Sequence, residues 1–319
     1  MKKTLVWLML CCATLLQSAV VNSPDGRISV TIDIKEKLEP YPVGQRLYYA
    51  VEKDGQALLL DSPFRLDFKN KPPIATELTI VDEKHSAVNE TWDSAFGTHD
   101  QIVNSYNQLT LTLKESQSPN RTLTFTVRAF NDGVAFQYGI PEQDGLGDFI
   151  IVEEFSEFHF PIDPTSWIGH YPSYRGHQET EYNQMQLSDS EPGQIIACPL
   201  LAQLPNAWVA LTEANLVDWA GVYFTRHPIV PHAVVTTLSP RIDQPDVAVI
   251  STAPRVSPWR VIMIGDKPGD LIESNIIVNL ADPLAIDDPS WIEPGISAWD
   301  RWWPGSYAPD FDGDMGVNQ

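Results

Sequence analysis

The densest supply of chemical groups in this chain runs from Gly169-His170-Tyr171 to Arg175-Gly176-His177-Gln178-Glu179-Thr180-Glu181-Tyr182. Histidines, carboxylates and phenols gather there between sheet-like stretches, so the segment is expected to be a loop. His170 and His177 with an acid would make a zinc site, yet they stand seven residues apart and lack a clear third ligand. A solvated acidic loop accounts for the same residues. Glu213 interrupts the apolar run Leu211 to Leu216. It is expected to pair with an arginine such as Arg260, or to cap a turn. Asp132, within Asn131-Asp132-Gly133, is expected to shape a hairpin. Asp310-Phe311-Asp312-Gly313-Asp314 fails as a calcium loop, because its glycine comes too early and no closing glutamate follows.

These groups must be positioned by elements that the pattern announces. Ile28, Val30, Ile32 and Ile34 alternate with polar residues, as do Leu109, Leu111, Leu113 and again Leu123, Phe125, Val127. Alternation of this kind marks half-buried strands. Leu47, Tyr49 and Val51 lead into Asp54-Gly55, a two-residue hairpin signal. Loops rich in Pro, Asn, Asp and Ser are expected at 70–73, 116–120, 142–148 and 188–193. No convincing amphipathic helix precedes residue 280. The fold expected is an all-β, large antiparallel β-sandwich over residues 20–280.

The ends differ. Met1-Lys2-Lys3, an apolar run from Leu5 to Leu16 and Gln17-Ser18-Ala19 follow the order basic, apolar, small. That order is a secretory signal, expected over residues 1–19, with a short membrane anchor as the alternative. The expectation is an exported protein, periplasmic or secreted, free of membrane after cleavage. Cleavage would leave Cys198 as the one cysteine, so no internal disulfide can form. Near Asp282 the texture changes to turn formers, Asp287-Asp288-Pro289 and Trp291-Ile292-Glu293-Pro294-Gly295.

The chain has 319 residues and a net charge of −21, which becomes −23 once Lys2 and Lys3 are removed. Such a field repels phosphate backbones, so nucleic acid is excluded as a partner. Neutral substrates and cations are tolerated.

Six segments taken in order resemble the amino-terminal half of glycoside hydrolase family 97. They are Val21 to Gly26, Ser105-Tyr106-Asn107-Gln108-Leu109, Arg128 to Phe136, Leu211 to Leu216, Ser257-Pro258-Trp259-Arg260-Val261-Ile262, and Trp291 to Gly295 followed by Trp299-Asp300-Arg301-Trp302-Trp303. The resemblance implies an exported α-glucosidase or α-galactosidase acting on an oligo- or polysaccharide. It also implies a sandwich followed by a (β/α)8 barrel, of which residues 281–319 would be the linker and first strand. Glycoside hydrolysis needs a pair of carboxyl groups across the scissile bond. The family's pair lies further along the barrel, so no catalytic residue is assigned in this chain. Asp300, Trp302 and Trp303 would touch sugar at the end of that first strand, where barrel enzymes build their sites. Family members that depend on calcium take one glutamate from a Glu-x-x-Tyr-like segment of the sandwich. Here Glu179 fits, with Glu181 as the alternative, and barrel residues would complete the ion's shell. A stand-alone, non-catalytic carbohydrate-binding sandwich is the competing reading, and a structural or interaction domain the third.

Overall fold

The computed structural model describes residues 18–296, apart from 38, 95, 96, 98 and 294. The first half of the chain gives β1 (Ser18–Asn22), β2 (Ile28–Lys35), β3 (Arg46–Lys53), β4 (Gln56–Phe68), β5 (Lys71–Ile74), β6 (Leu78–Asp93), β7 (Gln101–Glu115), β8 (Thr122–Phe130), β9 (Gly133–Ile140) and β10 (Asp148–His159). Shorter strands follow: β11 (Thr165–Ile168), β12 (His170–Tyr171), β13 (Asn183–Gln186), β14 (Ile195–Ile196), β15 (Leu200–Leu204) and β16 (Ala207–Ala214). The last are β17 (Val222–Arg226), β18 (Ala233–Leu238), β19 (Val249–Thr252), β20 (Arg255–Val256) and β21 (Trp259–Gly265). Among the described residues, helix is confined to a 3-10 turn at Leu187–Asp189 and two short helices, α1 (Pro268–Glu273) and α2 (Ile276–Asn279).

Two sheets result. One runs β1-β2-β3-β4-β10-β18-β17-β14-β12, with β5 on β4 and β19 on β10. The other runs β13-β11-β15-β16-β21-β9-β8-β7-β6, with β20 on β9. The antiparallel β-sandwich expected from the alternation is the fold observed. Its cause is visible in the register: Leu109 faces Val127, Leu111 faces Phe125 and Leu113 faces Leu123. All six are buried. Each buried side chain of this size contributes roughly 1.5–3 kcal/mol.

The sheets meet through aromatic rings. Tyr49, Phe64 and Phe158 come from the first sheet; Phe125, Phe136 and Tyr138 come from the second. Phe64 stacks on Phe125 with ring centroids 5.9 Å apart, and Tyr49 lies 4.8 Å from Phe136. Asp54-Gly55 is the expected hairpin, with φ of 51° and 74° at its two positions. Positive φ at both central residues matches strand twist, which is why Asp-Gly serves there. At Asn131-Asp132 the chain turns between β8 and β9, as expected. A Cβ on Gly133 would stand 2.6 Å from the Ile262 carbonyl, so no side chain fits beside β21.

Three expected loops contain more order than their composition announced. Within 70–73 only Asn70 turns, and Pro72 and Pro73 sit in β5. Proline is tolerated on a strand whose N–H groups need no ladder partner. Their carbonyls are used instead, accepting from Arg121 at 2.7 and 3.0 Å. The segment 188–193 begins inside the 3-10 turn, and His170–Tyr171 is a strand rather than loop. Ser18 and Ala19 open β1, and Ala19 is buried opposite Ile32. Cys198 is a free cysteine. Burial pushes its thiol up, although Thr212 opposes this.

Of the described residues, 18–91 with 103–282 form one compact unit, and 92–102 with 283–296 form a second. In the second, the Ile292 N–H donates to the Pro289 carbonyl at 2.9 Å and the Ser290 N–H donates to Asp288 at 3.1 Å. The turn chemistry of Asp-Asp-Pro is thus realised.

Candidate functional site: the Tyr171–Tyr182 loop and its support

β10 divides its acids between two faces because side chains alternate along a strand. Glu154 points inward and is fully buried. Arg260 on β21 grips it with two hydrogen bonds, both 2.7 Å, and donates to Glu213 at 3.0 Å. Glu213 and Arg260 are direct cross-strand partners, so the expected pairing is present. Glu213 also accepts from the Val222 N–H at 3.0 Å. The Ser156 hydroxyl donates to Glu154 at 2.8 Å and lies 2.6 Å from the Tyr138 hydroxyl. Burial opposes the guanidinium charge, but the two carboxylates more than offset it and hold the Arg260 pKa above its usual value. This triad is structural: the one guanidinium is fully buried between two carboxylates and committed to both. Its most buried carboxylate, Glu154, carried no sequence signal beyond a strand position.

Glu153 lies on the opposite face and supports the loop. Its carboxylate accepts from the Leu238 N–H at 2.7 Å and from the Thr237 hydroxyl at 3.1 Å. Burial raises its pKa to about 7, against those donors. Thr237 is in turn 2.8 Å from the Tyr174 hydroxyl. Tyr174 packs edge-on against Tyr223, with centroids 5.3 Å apart.

Three tyrosines then converge on Gln178. The Tyr171 hydroxyl donates to its carbonyl at 2.8 Å, and the Tyr223 hydroxyl donates to its Oε1 at 3.0 Å. Its Nε2 donates to the Tyr174 carbonyl at 3.3 Å. The backbone of Gln178 is left-handed, with φ of 57°. A non-glycine residue in that region is held by its surroundings rather than by preference. Further along, the Thr180 hydroxyl donates to the His170 carbonyl at 3.2 Å, over a Gly169 that has no room for a Cβ.

Glu179 and Glu181 flank Thr180 and are both exposed. Neither carboxylate has a hydrogen-bond or ion-pair partner among the described residues. An anchored backbone thus presents two uncommitted carboxylates. Calcium takes six to eight oxygens, and no group of three His, Cys, Asp or Glu able to hold a metal forms among the described residues. These glutamates fit calcium as contributors to a shell, not as a whole site.

The zinc alternative does not assemble. The His170 Nε2 lies 3.0 Å from the Ser190 hydroxyl, with burial lowering its pKa, while His177 is exposed on the loop. Asp132 accepts from the Ser274 hydroxyl at 2.6 Å, a contact between its hairpin and the junction of α1 and α2 that turn chemistry alone did not announce. Asp300, Trp302 and Trp303, expected to touch sugar, lie outside the described residues, as do Trp299, most of the expected signal and the 310–314 segment.

A family model, glycosyl-hydrolase 97 N-terminal, matches residues 21–283. A retaining alpha-galactosidase of Bacteroides thetaiotaomicron is 27% identical, across 99% of this chain and 49% of its own length. A probable retaining alpha-galactosidase of Streptomyces bingchenggensis is 31% identical, across 54% of this chain and 25% of its own. The chain spans about half the length of the first of these relatives and a quarter of the second. Among solved structures, a glycoside hydrolase family 97 enzyme from Pseudoalteromonas sp. strain K8, in complex with acarbose, superposes with a TM-score of 0.77. It is 28% identical, over 87% of this chain and 40% of that one.

Proposed function

The chain belongs to glycoside hydrolase family 97, and from that premise we propose that it is the amino-terminal domain of an exported α-glycosidase acting on α-galactosides or α-glucosides. Members of this family are glycosidases. The observation that carries the reading is the family match over 21–283, in a sandwich of the same architecture as the acarbose-bound enzyme. Both of the relatives described above bear the name alpha-galactosidase, which favours the galactoside.

In this proposal the acid and base of hydrolysis come from the barrel, and the sandwich contributes through its 171–182 loop. Glu179 supplies one oxygen to a calcium ion, with Glu181 as the substitute donor. A bound divalent cation would polarise the reacting centre and stabilise developing negative charge. The chain's own part is positional. The Gln178 anchor fixes the backbone that presents Glu179, and the tyrosines fix Gln178.

The test uses full-length protein and nitrophenyl α-galactoside and α-glucoside, with calcium or with chelator. Turnover is expected from the full-length enzyme and none from the 319-residue chain alone. Turnover by the short chain that vanishes on mutating one of its carboxylates would overturn the assignment of catalysis to the barrel. Sugar binding without hydrolysis by the full-length protein would replace the reading with a carbohydrate-binding module. For the metal, Glu179→Gln should weaken calcium activation at least tenfold. Unchanged calcium dependence there, with loss in Glu181→Gln, would pass the role to Glu181. Export is tested by amino-terminal sequencing of the mature protein, which should begin near Ala19.

A further inference from the structure

On the same outward face of β10, four residues beyond Glu153, Glu157 forms a second polar cluster with different chemistry. One oxygen, Oε2, accepts from the Tyr41 hydroxyl and from the His159 Nε2 at 2.6 Å, with the His227 Nε2 at 3.4 Å. The Ile229 and Val230 N–H groups donate to the His227 Nδ1, at 3.1 and 2.7 Å. They keep the ring's other nitrogen the donor. Burial alone would raise the Glu157 pKa, but these donors bring it to about 2. The carboxylate is therefore ionised and already saturated on one side.

Glu157 lies in the floor of a cleft of about 640 Å3, within the roughly 300–1,000 Å3 usual for small-molecule sites. The walls are apolar and stiff, built largely of proline with Phe155, Ile229 and Val235. Three arginines line the same cleft, Arg46, Arg65 and Arg226, against one carboxylate. Arg65 is paired with Asp67 at 2.9 Å and stacks 4.1 Å over the Phe155 ring. Arg46 spends its Nη1 on the Pro42 and Gly44 carbonyls and lies over the Tyr41 ring. Arg226 donates through Nε to the Ser190 carbonyl. Neither Arg46 nor Arg226 has a carboxylate at ion-pair distance among the described residues. In a chain with 42 acidic and 21 basic residues, unpaired arginines collected in one cleft are conspicuous. Guanidinium groups of this kind bind planar oxyanions.

We propose that this cleft is a binding site for an acidic sugar, a pyranose carrying a carboxylate, distinct from the loop that bears Glu179. The carboxylate of the ligand meets Arg226 and Arg46. The apolar face of the ring lies on the proline and aromatic walls, and its hydroxyls find the Glu157 end. A neutral sugar would leave the guanidinium groups without an anion, and a bare anion would leave the walls uncovered.

Calorimetric titration of full-length protein tests this with three probes: digalacturonate, neutral galactobiose and acetate. Digalacturonate should bind, at least tenfold more tightly than either of the others, and more weakly in 0.5 M salt as an ionic contact requires (roughly a 4 Å screening length). Arg226→Gln should lower that affinity at least tenfold while leaving hydrolysis of nitrophenyl α-galactoside unchanged. Ile229→Glu, at a rim position that is 67% exposed and tolerant of polarity, should do the same by repulsion. Equal binding of galactobiose or acetate, no binding of digalacturonate, or full affinity in both variants would overturn the proposal.

Discussion

Glu153 and Glu157 occupy the same face of the same strand, and their carboxyls titrate on opposite sides of the ordinary 4.5. Both are substantially buried, so desolvation favours the neutral form of each. The difference lies in what donates to them. Glu153 receives two backbone N–H groups, from Leu238 and Glu154, and the Thr237 hydroxyl, all neutral donors, which leaves burial dominant and a pKa of about 7. Glu157 receives a phenol and two imidazoles, which reverse the sign and give about 2. Glu154, between them on the other face, shows the remaining outcome: full burial sustained by a bidentate arginine. Burial by itself does not decide the charge of a carboxyl; with three donors on each, the kind of donor does.

The largest effect should come from breaking the interior arm of that comparison. Arg260→Met strands Glu154 without a counter-charge and should cost about 3–5 kcal/mol in denaturant unfolding. A loss below about 1 kcal/mol would mean that the site tolerates the loss of its guanidinium.

Glu157 comes next. It holds its proton less tightly folded than unfolded, so its contribution is complete above pH 4.5 and is lost as pH falls through 2. Glu157→Gln should cost on the order of 3 kcal/mol at pH 7 and flatten the stability profile between pH 4.5 and 2. An unchanged profile would show that the donors do not act on this group.

Glu153 has the opposite sign. It holds its proton more tightly folded, so its contribution is complete below pH 4.5 and fades as pH rises through 7. Glu153→Gln should therefore raise stability at pH 8 by about 1 kcal/mol relative to wild type and change little at pH 4.5. Lower stability of the variant at pH 8 would contradict this.

Two smaller effects concern the loop. Gln178→Ala removes two side-chain hydrogen bonds and should cost about 1 kcal/mol, with faster amide exchange confined to 172–182. Uniform exchange across the sandwich would deny the anchor. Glu179→Gln, exposed and without a partner, should leave stability within about 0.5 kcal/mol of wild type. A larger loss would mean that the carboxylate already serves the fold.

The alternation of apolar residues announced the sandwich because period two is a local property of a strand, and the Asp54-Gly55 hairpin because φ preference is local too. The Glu213–Arg260 pair was legible as an acid in an apolar strand, which must find a cation once buried. Other features escaped. Pro72 and Pro73 look like loop until Arg121, from a distant turn, takes their carbonyls. The support for Glu179 escaped as well, since Tyr171, Tyr174 and Tyr223 meet at Gln178 from two strands and a loop.

By itself the sequence determined the fold class, the acidic character and the family, since each rests on residue type, spacing or order along the chain. Only the tertiary structure decided which carboxylates are committed and which are free. Glu153, Glu154 and Glu157 are three glutamates within five residues, alike in composition and propensity. Their surroundings diverge because Thr237, Arg260, Tyr41 and His227 arrive from other parts of the chain, and the energy of a buried charge depends on neighbours that no local pattern encodes.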